Sequence, residues 1–166
     1  MILYFLEPEV SGGHGEQTIY RAKENVKKDG ISGQVEFLHY EFEGWLGDDL
    51  IESTPTFIIS NNLKKELIKS EFRDYKLEDC YITTSEEFKE LYPNRELPSF
   101  TRFIPLGTVE IEGESFKNWS GHHFSFSLKG ELVVTQKALE FFKKFSINNC
   151  DITRVKQSKG QAYNTY

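Results

Sequence analysis

The sequence predicts an α+β protein with a mainly antiparallel or mixed sheet and about three helices. Three observations carry this. Short apolar runs alternate with Gly-, Pro- and Asx-rich turns, three polar residues stand where helix caps belong, and a strand, cap, helix order occurs more than once.

Ile2 to Leu6 is an opening strand closed by Pro8, and Ser11-Gly12-Gly13-His14-Gly15 after it is too rich in glycine for regular structure. Residues 21–34 mix charges and two glycines with few apolar anchors, so a solvated connection is expected. Residues 35–42 alternate as a strand with bulk on both faces, ended by Glu43-Gly44-Trp45-Leu46-Gly47-Asp48-Asp49.

Phe57-Ile58-Ile59 is a strand, Ser60 a cap, and Leu63, Leu67 and Ile68 an apolar helical stripe. Leu132-Val133-Val134, Thr135, then Ala138, Leu139, Phe142 and Phe145 repeat that order 75 positions later. Each helix is followed by a polar turn and a Cys-x-Ile strand, at Cys80-Tyr81-Ile82 and Cys150-Asp151-Ile152, so an internal duplication is expected. A third helix carries Phe88 and Leu91, with Thr84 and Glu87 at capping-box spacing and Pro93 as its stop. Further strands are expected over residues 103–111 and 124–128, the latter with Phe124, Phe126 and Leu128 on one face. The predicted core comprises Phe57, Ile59, Leu67, Val133, Leu139, Phe142 and Ile152. Residues 1–156 form one compact unit, or two lobes of about 1–95 and 96–156 sharing a core, and 157–166 form a flexible tail.

Fourteen Phe, eight Tyr and two Trp make the core aromatic. Twenty Lys and Arg against twenty-six Asp and Glu give a formal charge of -6, which disfavours nucleic acid and favours encounter with a basic protein. The apolar start ends at Glu7-Pro8, too early for a signal or spanning segment, and two cysteines outside any CxxC spacing fit a reducing compartment. A cytoplasmic protein with no membrane contact is the expectation.

No catalytic residue is assigned. The glycine segment at 11–15 lacks the lysine and hydroxyl of a phosphate loop, and no GxSxG elbow occurs. His122-His123 would point to opposite faces of a strand, and no zinc spacing exists, so neither a metal nor another cofactor is expected. Glu110, Glu112 and Glu114 alternate and would form a negative stripe. Trp45 stands in a loop with Asp48, Asp49 and Glu52, and Trp119 follows the glutamate stripe. These eight residues are the candidate partner-binding set, combining aromatic anchors with charge.

Several stretches together resemble bacterial immunity proteins encoded beside polymorphic toxins, nearest to immunity protein families 43 and 11. They are Tyr4-Phe5-Leu6-Glu7-Pro8-Glu9-Val10-Ser11-Gly12-Gly13, residues 38–53 around Glu43-Gly44-Trp45-Leu46-Gly47-Asp48-Asp49, and Leu132-Val133-Val134-Thr135 through Cys150-Asp151-Ile152. Residues 57–67 and 85–93 fit the same pattern. The resemblance implies an antitoxin that neutralises a cognate, basic toxin C-terminal domain by stoichiometric binding, without catalysis. The alternative is an enzyme that processes a small ligand in a cleft near Gly12 to Gly15 and His122-His123.

Overall fold

The computed structural model describes residues 1–22 and 34–159. Strands β1 (Ile2–Glu7), β2 (Gly12–His14), β3 (Ile19–Tyr20), β4 (Val35–Phe37), β5 (His39–Phe42), β6 (Leu50–Ser53) and β7 (Thr56–Ser60) precede helix α1 (Asn61–Lys69). Then come β8 (Tyr75–Glu78), β9 (Tyr81–Thr84), α2 (Glu86–Leu91), β10 (Phe100–Pro105), β11 (Gly107–Thr108), β12 (Glu110–Glu112), β13 (Ser115–Lys117), β14 (Phe124–Phe126), β15 (Leu132–Thr135), α3 (Gln136–Phe142) and β16 (Asp151–Gln157). The sheets run β11-β14-β15-β1-β16-β13-β12, β6-β7-β10-β8, β2-β5-β9 and β3-β4. Pairing is antiparallel except at β11–β14, β13–β16 and β5–β9, so the class is α+β with mixed sheets.

Each helix starts because a hydroxyl satisfies a free amide of its first turn. Ser60 accepts from Leu63 N, Ser85 from Phe88 N and Thr135 from Ala138 N. The cap of α2 is therefore Ser85 and not Thr84, which is committed to β9 opposite Phe42. Leu63 and Leu67 of α1, and Ala138, Leu139, Phe141 and Phe142 of α3, turn into the core. Ile68 and Leu91 face outward.

The expected duplication is present in topology and register. Hairpin β6–β7, helix α1 and β8 form one unit, and hairpin β14–β15, helix α3 and β16 the other. In both, a strand from elsewhere in the chain fills the gap between the second hairpin strand and the last one: β10 in the first, β1 in the second. Phe100 lies opposite the cap Ser60 and Phe103 opposite Phe57, just as Leu3 lies opposite the cap Thr135 and Leu6 opposite Leu132. On the other side Phe103 meets Leu77 and Leu6 meets Ile152. The halves thus exchange their first strands, and Pro8, just past β1, and Pro105, the last residue of β10, occupy the same place in register. Past these prolines the chain rejoins its own half, through the parallel bridge of Glu9 to Ile51 and the pairing of Gly107 with Ser125.

The equivalences extend outward. Strand β5 runs antiparallel to β2 and parallel to β9, and β13 runs antiparallel to β12 and parallel to β16. Residues 79–80 divide β8 from β9, whereas β16 is continuous, which explains why the second half forms one sheet and the first half two. The Cys-x-Ile match fails: register pairs Ile152 with Leu77, and Val155, opposite Leu3, with the place of Cys80 below Phe100.

Packing follows this pseudo-symmetry. The largest apolar cluster takes Leu50, Phe57, Ile59, Leu67 and Phe103 from one unit and Leu6, Phe124, Leu132, Val134 and Phe142 from the other. A smaller cluster holds Phe42, Ile58 and Phe100, and its counterpart holds Phe116, Val133 and Leu3. The predicted core residues are buried except Ile152, which is 39% exposed on β16.

Other expectations are corrected. The glycine segment is regular: β2 pairs with β5, and a Cβ at Gly12 would overlap the Glu41 carbonyl oxygen, so only glycine permits this approach. Residues 35–42 break at Leu38, whose carbonyl accepts from Tyr81 N. The strand expected over 103–111 starts at Phe100 and falls into β10, β11 and β12. Strand β14 ends at Phe126, leaving Leu128 in the following turn, 70% exposed. Gln157 and Ser158 belong to the folded part, donating to Met1 O and Phe116 O, so the tail does not begin at 157. The rest of the expected tail from 160, and most of the connection expected over 21–34, lie outside the described residues. No helix among the described residues is long and apolar enough to cross a membrane.

Candidate functional site

Two equivalent loops carry the two tryptophans. Phe42-x-x-Trp45-x-Gly47 and Phe116-x-x-Trp119-x-Gly121 are 74 positions apart. Each phenylalanine is buried, and each glycine has positive φ, +107° at Gly47 and +89° at Gly121. Each indole N–H donates at 3.0 Å to the carbonyl three residues on, at Asp48 and at His122. Trp45 stands edge-on to Phe100 and Trp119 edge-on to Phe116, both half-buried. This repeated Phe-x-x-Trp-x-Gly signal is legible in the sequence and aligns the two halves.

The carboxylates near Trp45 are not a solvated surface. Asp48 is 1% exposed, and its side chain accepts from Asn149 N at 2.8 Å and Asn149 Nδ2 at 3.1 Å. Asp49 accepts from the cap hydroxyl of Ser60 and from Ser146 N. His123 holds the equivalent place, with Nδ1 2.7 Å from the cap hydroxyl of Thr135. Asp48 and Asp49 therefore tie the first tryptophan loop to residues 146–149. Glu52 lies on β6, 8% exposed, accepting from Thr54 Oγ1. Burial pushes its carboxyl up to about 7, against the Thr54 hydrogen bond and with added repulsion from Glu7 and Glu131.

The glutamate stripe is also different from expectation. Glu110 and Glu112 share a face of β12, but Lys117 on β13 reaches both, at 3.7 and 2.6 Å, and the two carboxylates hold its ammonium above the usual range. Glu114 sits beyond Gly113 in the hairpin turn, off the strand. The stripe is partly charge-compensated and interrupted.

What the first loop offers is an open groove lined by residues 9–12, residues 43–46, Glu87 of α2 and its C-cap Tyr92. Val10 is 66% and Leu46 72% exposed, Glu43 and Glu87 stand at its sides, and the Arg95 guanidinium lies 5.0 Å from the Trp45 ring centre. Beneath it the buried Glu9 carboxylate accepts from Leu46 N at 3.0 Å, Asp48 N at 3.2 Å and Ser11 Oγ. Burial raises its pKa, against these amide bonds. Val10, Leu46 and Tyr92 were not among the sequence candidates, because an isolated apolar residue in a loop does not show whether it faces core or water.

The features of the alternative cleft do not meet. His14 bonds Tyr20 Oη and Thr56 Oγ1, whereas His122 bonds Ser120 and His123 packs edge-on to Phe72. Neither histidine of the pair lies on a strand. Cys80 and Cys150 are free and half-buried, and burial pushes their thiols up to about 11 and about 12, far from the thiolate form. Among the described residues no group of three or more His, Cys, Asp or Glu side chains could hold a metal ion. Comparison of the chain with known protein families, with curated proteins and with solved structures finds no match.

Proposed function

We propose that this chain is a cytoplasmic immunity protein that binds a basic toxin C-terminal domain one to one and blocks it by occupation. The observation that carries the reading is the groove at the first tryptophan loop, where exposed apolar side chains stand beside carboxylates on a braced scaffold. Apolar anchors inside a charged rim are how protein interfaces obtain affinity, while opposite net charge speeds encounter. A formal charge of -6 complements a basic partner, and the resemblance to toxin-associated immunity proteins agrees.

The test is co-purification and growth rescue with the C-terminal domain encoded directly upstream. A one-to-one complex and restored growth are expected. A wild-type protein that neither binds nor protects would end this reading.

A further inference from the structure

The two tryptophan loops provide an internal reference. Features common to both, the indole N–H bond to the carbonyl three residues on, the positive-φ glycine and the buried phenylalanine, are what the fold requires at this position. Features present in one loop alone are free of that requirement. At the place of Leu46 the second loop has Ser120, and at the place of Val10 it has Thr108. Those two close on each other, Thr108 N donating to Ser120 Oγ and Ser120 N to Thr108 O, both at 2.9 Å. Where the second loop has Lys117, neutralised by Glu110 and Glu112, the first has Glu43.

The first loop therefore has two large apolar side chains in water at positions where its counterpart uses small polar ones. The equivalent scaffold of the second loop closes without them. The Glu9 carboxylate, absent from the second half where Gly107 stands, holds the Leu46 and Asp48 amides and so fixes the backbone from which Leu46 projects. With its backbone already held, the loop loses less freedom when Leu46 is buried against a partner.

Resting on the immunity reading, we infer that Val10 and Leu46, with Glu43 beside them, form the surface that meets the toxin domain, which presents an apolar side chain flanked by Lys or Arg. Glu9 is a positioning residue for this surface. The second loop, with Trp119, is its structural counterpart and takes no part in binding.

The experiment uses the full chain and the C-terminal domain encoded directly upstream, with affinity measured at two salt concentrations. The double variant V10T/L46S grafts the residues of the second loop onto the first, so the fold is expected to survive, as checked by an unchanged urea midpoint. Its affinity should fall by more than about tenfold. E43K, the corresponding charge graft, should slow association and flatten the salt dependence. Ser120→Leu on the second loop should leave affinity unchanged. If wild type binds and V10T/L46S binds equally well, the surface is misassigned while the immunity reading stands. Loss of affinity in Ser120→Leu instead would place the partner on the second loop. If wild type does not bind, both fall.

Discussion

Replacing Glu52 by Gln should stabilise the protein at alkaline pH and do little at acid pH. The carboxyl lies on β6 at 8% exposure, with burial and the charges of Glu7 and Glu131 opposing ionisation. The unfolded chain loses this proton near 4.5, and the folded chain holds it until about 7. Because the native state binds the extra proton, the contribution is fully favourable below 4.5 and is lost as pH rises through 7. A displacement from 4.5 to about 7 corresponds to about 3 kcal/mol at roughly 1.4 kcal/mol per tenfold. Incomplete burial of the carboxyl reduces that to about 1 to 2 kcal/mol. Glutamine retains the Thr54 hydrogen bond, and the second half has Phe126 at this register, so the fold has no need of a charge here. Urea unfolding of wild type and Glu52→Gln from pH 4.5 to 8.5 should show equal stability at the acid end and a variant more stable by about 1 to 2 kcal/mol above 7. A difference that is flat with pH, or that favours wild type at pH 8, refutes the burial argument.

Phe142→Ala should cost about 3 to 5 kcal/mol, because the ring is fully buried against Phe103 and Phe124, and chemical denaturation measures it. Asp48→Ala should cost about 3 kcal/mol, since it strips the Asn149 backbone and side-chain amides of a charged acceptor. A loss under 0.5 kcal/mol in the same assay would show that residues 146–149 do not depend on this carboxylate.

Much of the frame was legible locally. The caps Ser60 and Thr135, the stripes below them and their spacing of 75 positions come from short-range rules, because a hydroxyl bonding an amide three residues on is a local event. The third cap was displaced by one residue because Thr84 and Ser85 both carry hydroxyls, and only the pairing of Thr84 with Phe42 decides between them. Burial of charge was not legible. Asp48 and Glu9 look like surface residues until Asn149 and the Leu46 amide are brought to them across long stretches of chain, and Glu52 looks like one because nothing in its hairpin shows which face of β6 is covered. The exchange of first strands was invisible for a related reason. Ile2–Glu7 and Phe100–Pro105 are both short, largely apolar strands with a proline at or just past the end, and nothing local states which of two similar slots each enters.

That exchange sets an order of events during synthesis. The slot for Ile2–Glu7 is bounded by Leu132–Thr135 and Asp151–Gln157, so this strand must wait for Leu132–Thr135 before it can pair and for Asp151–Gln157 before both its edges are covered. At roughly 5 to 20 residues per second the interval between Glu7 and Asp151 is roughly 7 to 30 s, during which an apolar segment remains unsatisfied. The first half closes sooner, since β7 and β8 are joined once Phe100–Pro105 emerges. The sheet of the first half can therefore close ahead of the second, which is completed only when Asp151–Gln157 is made.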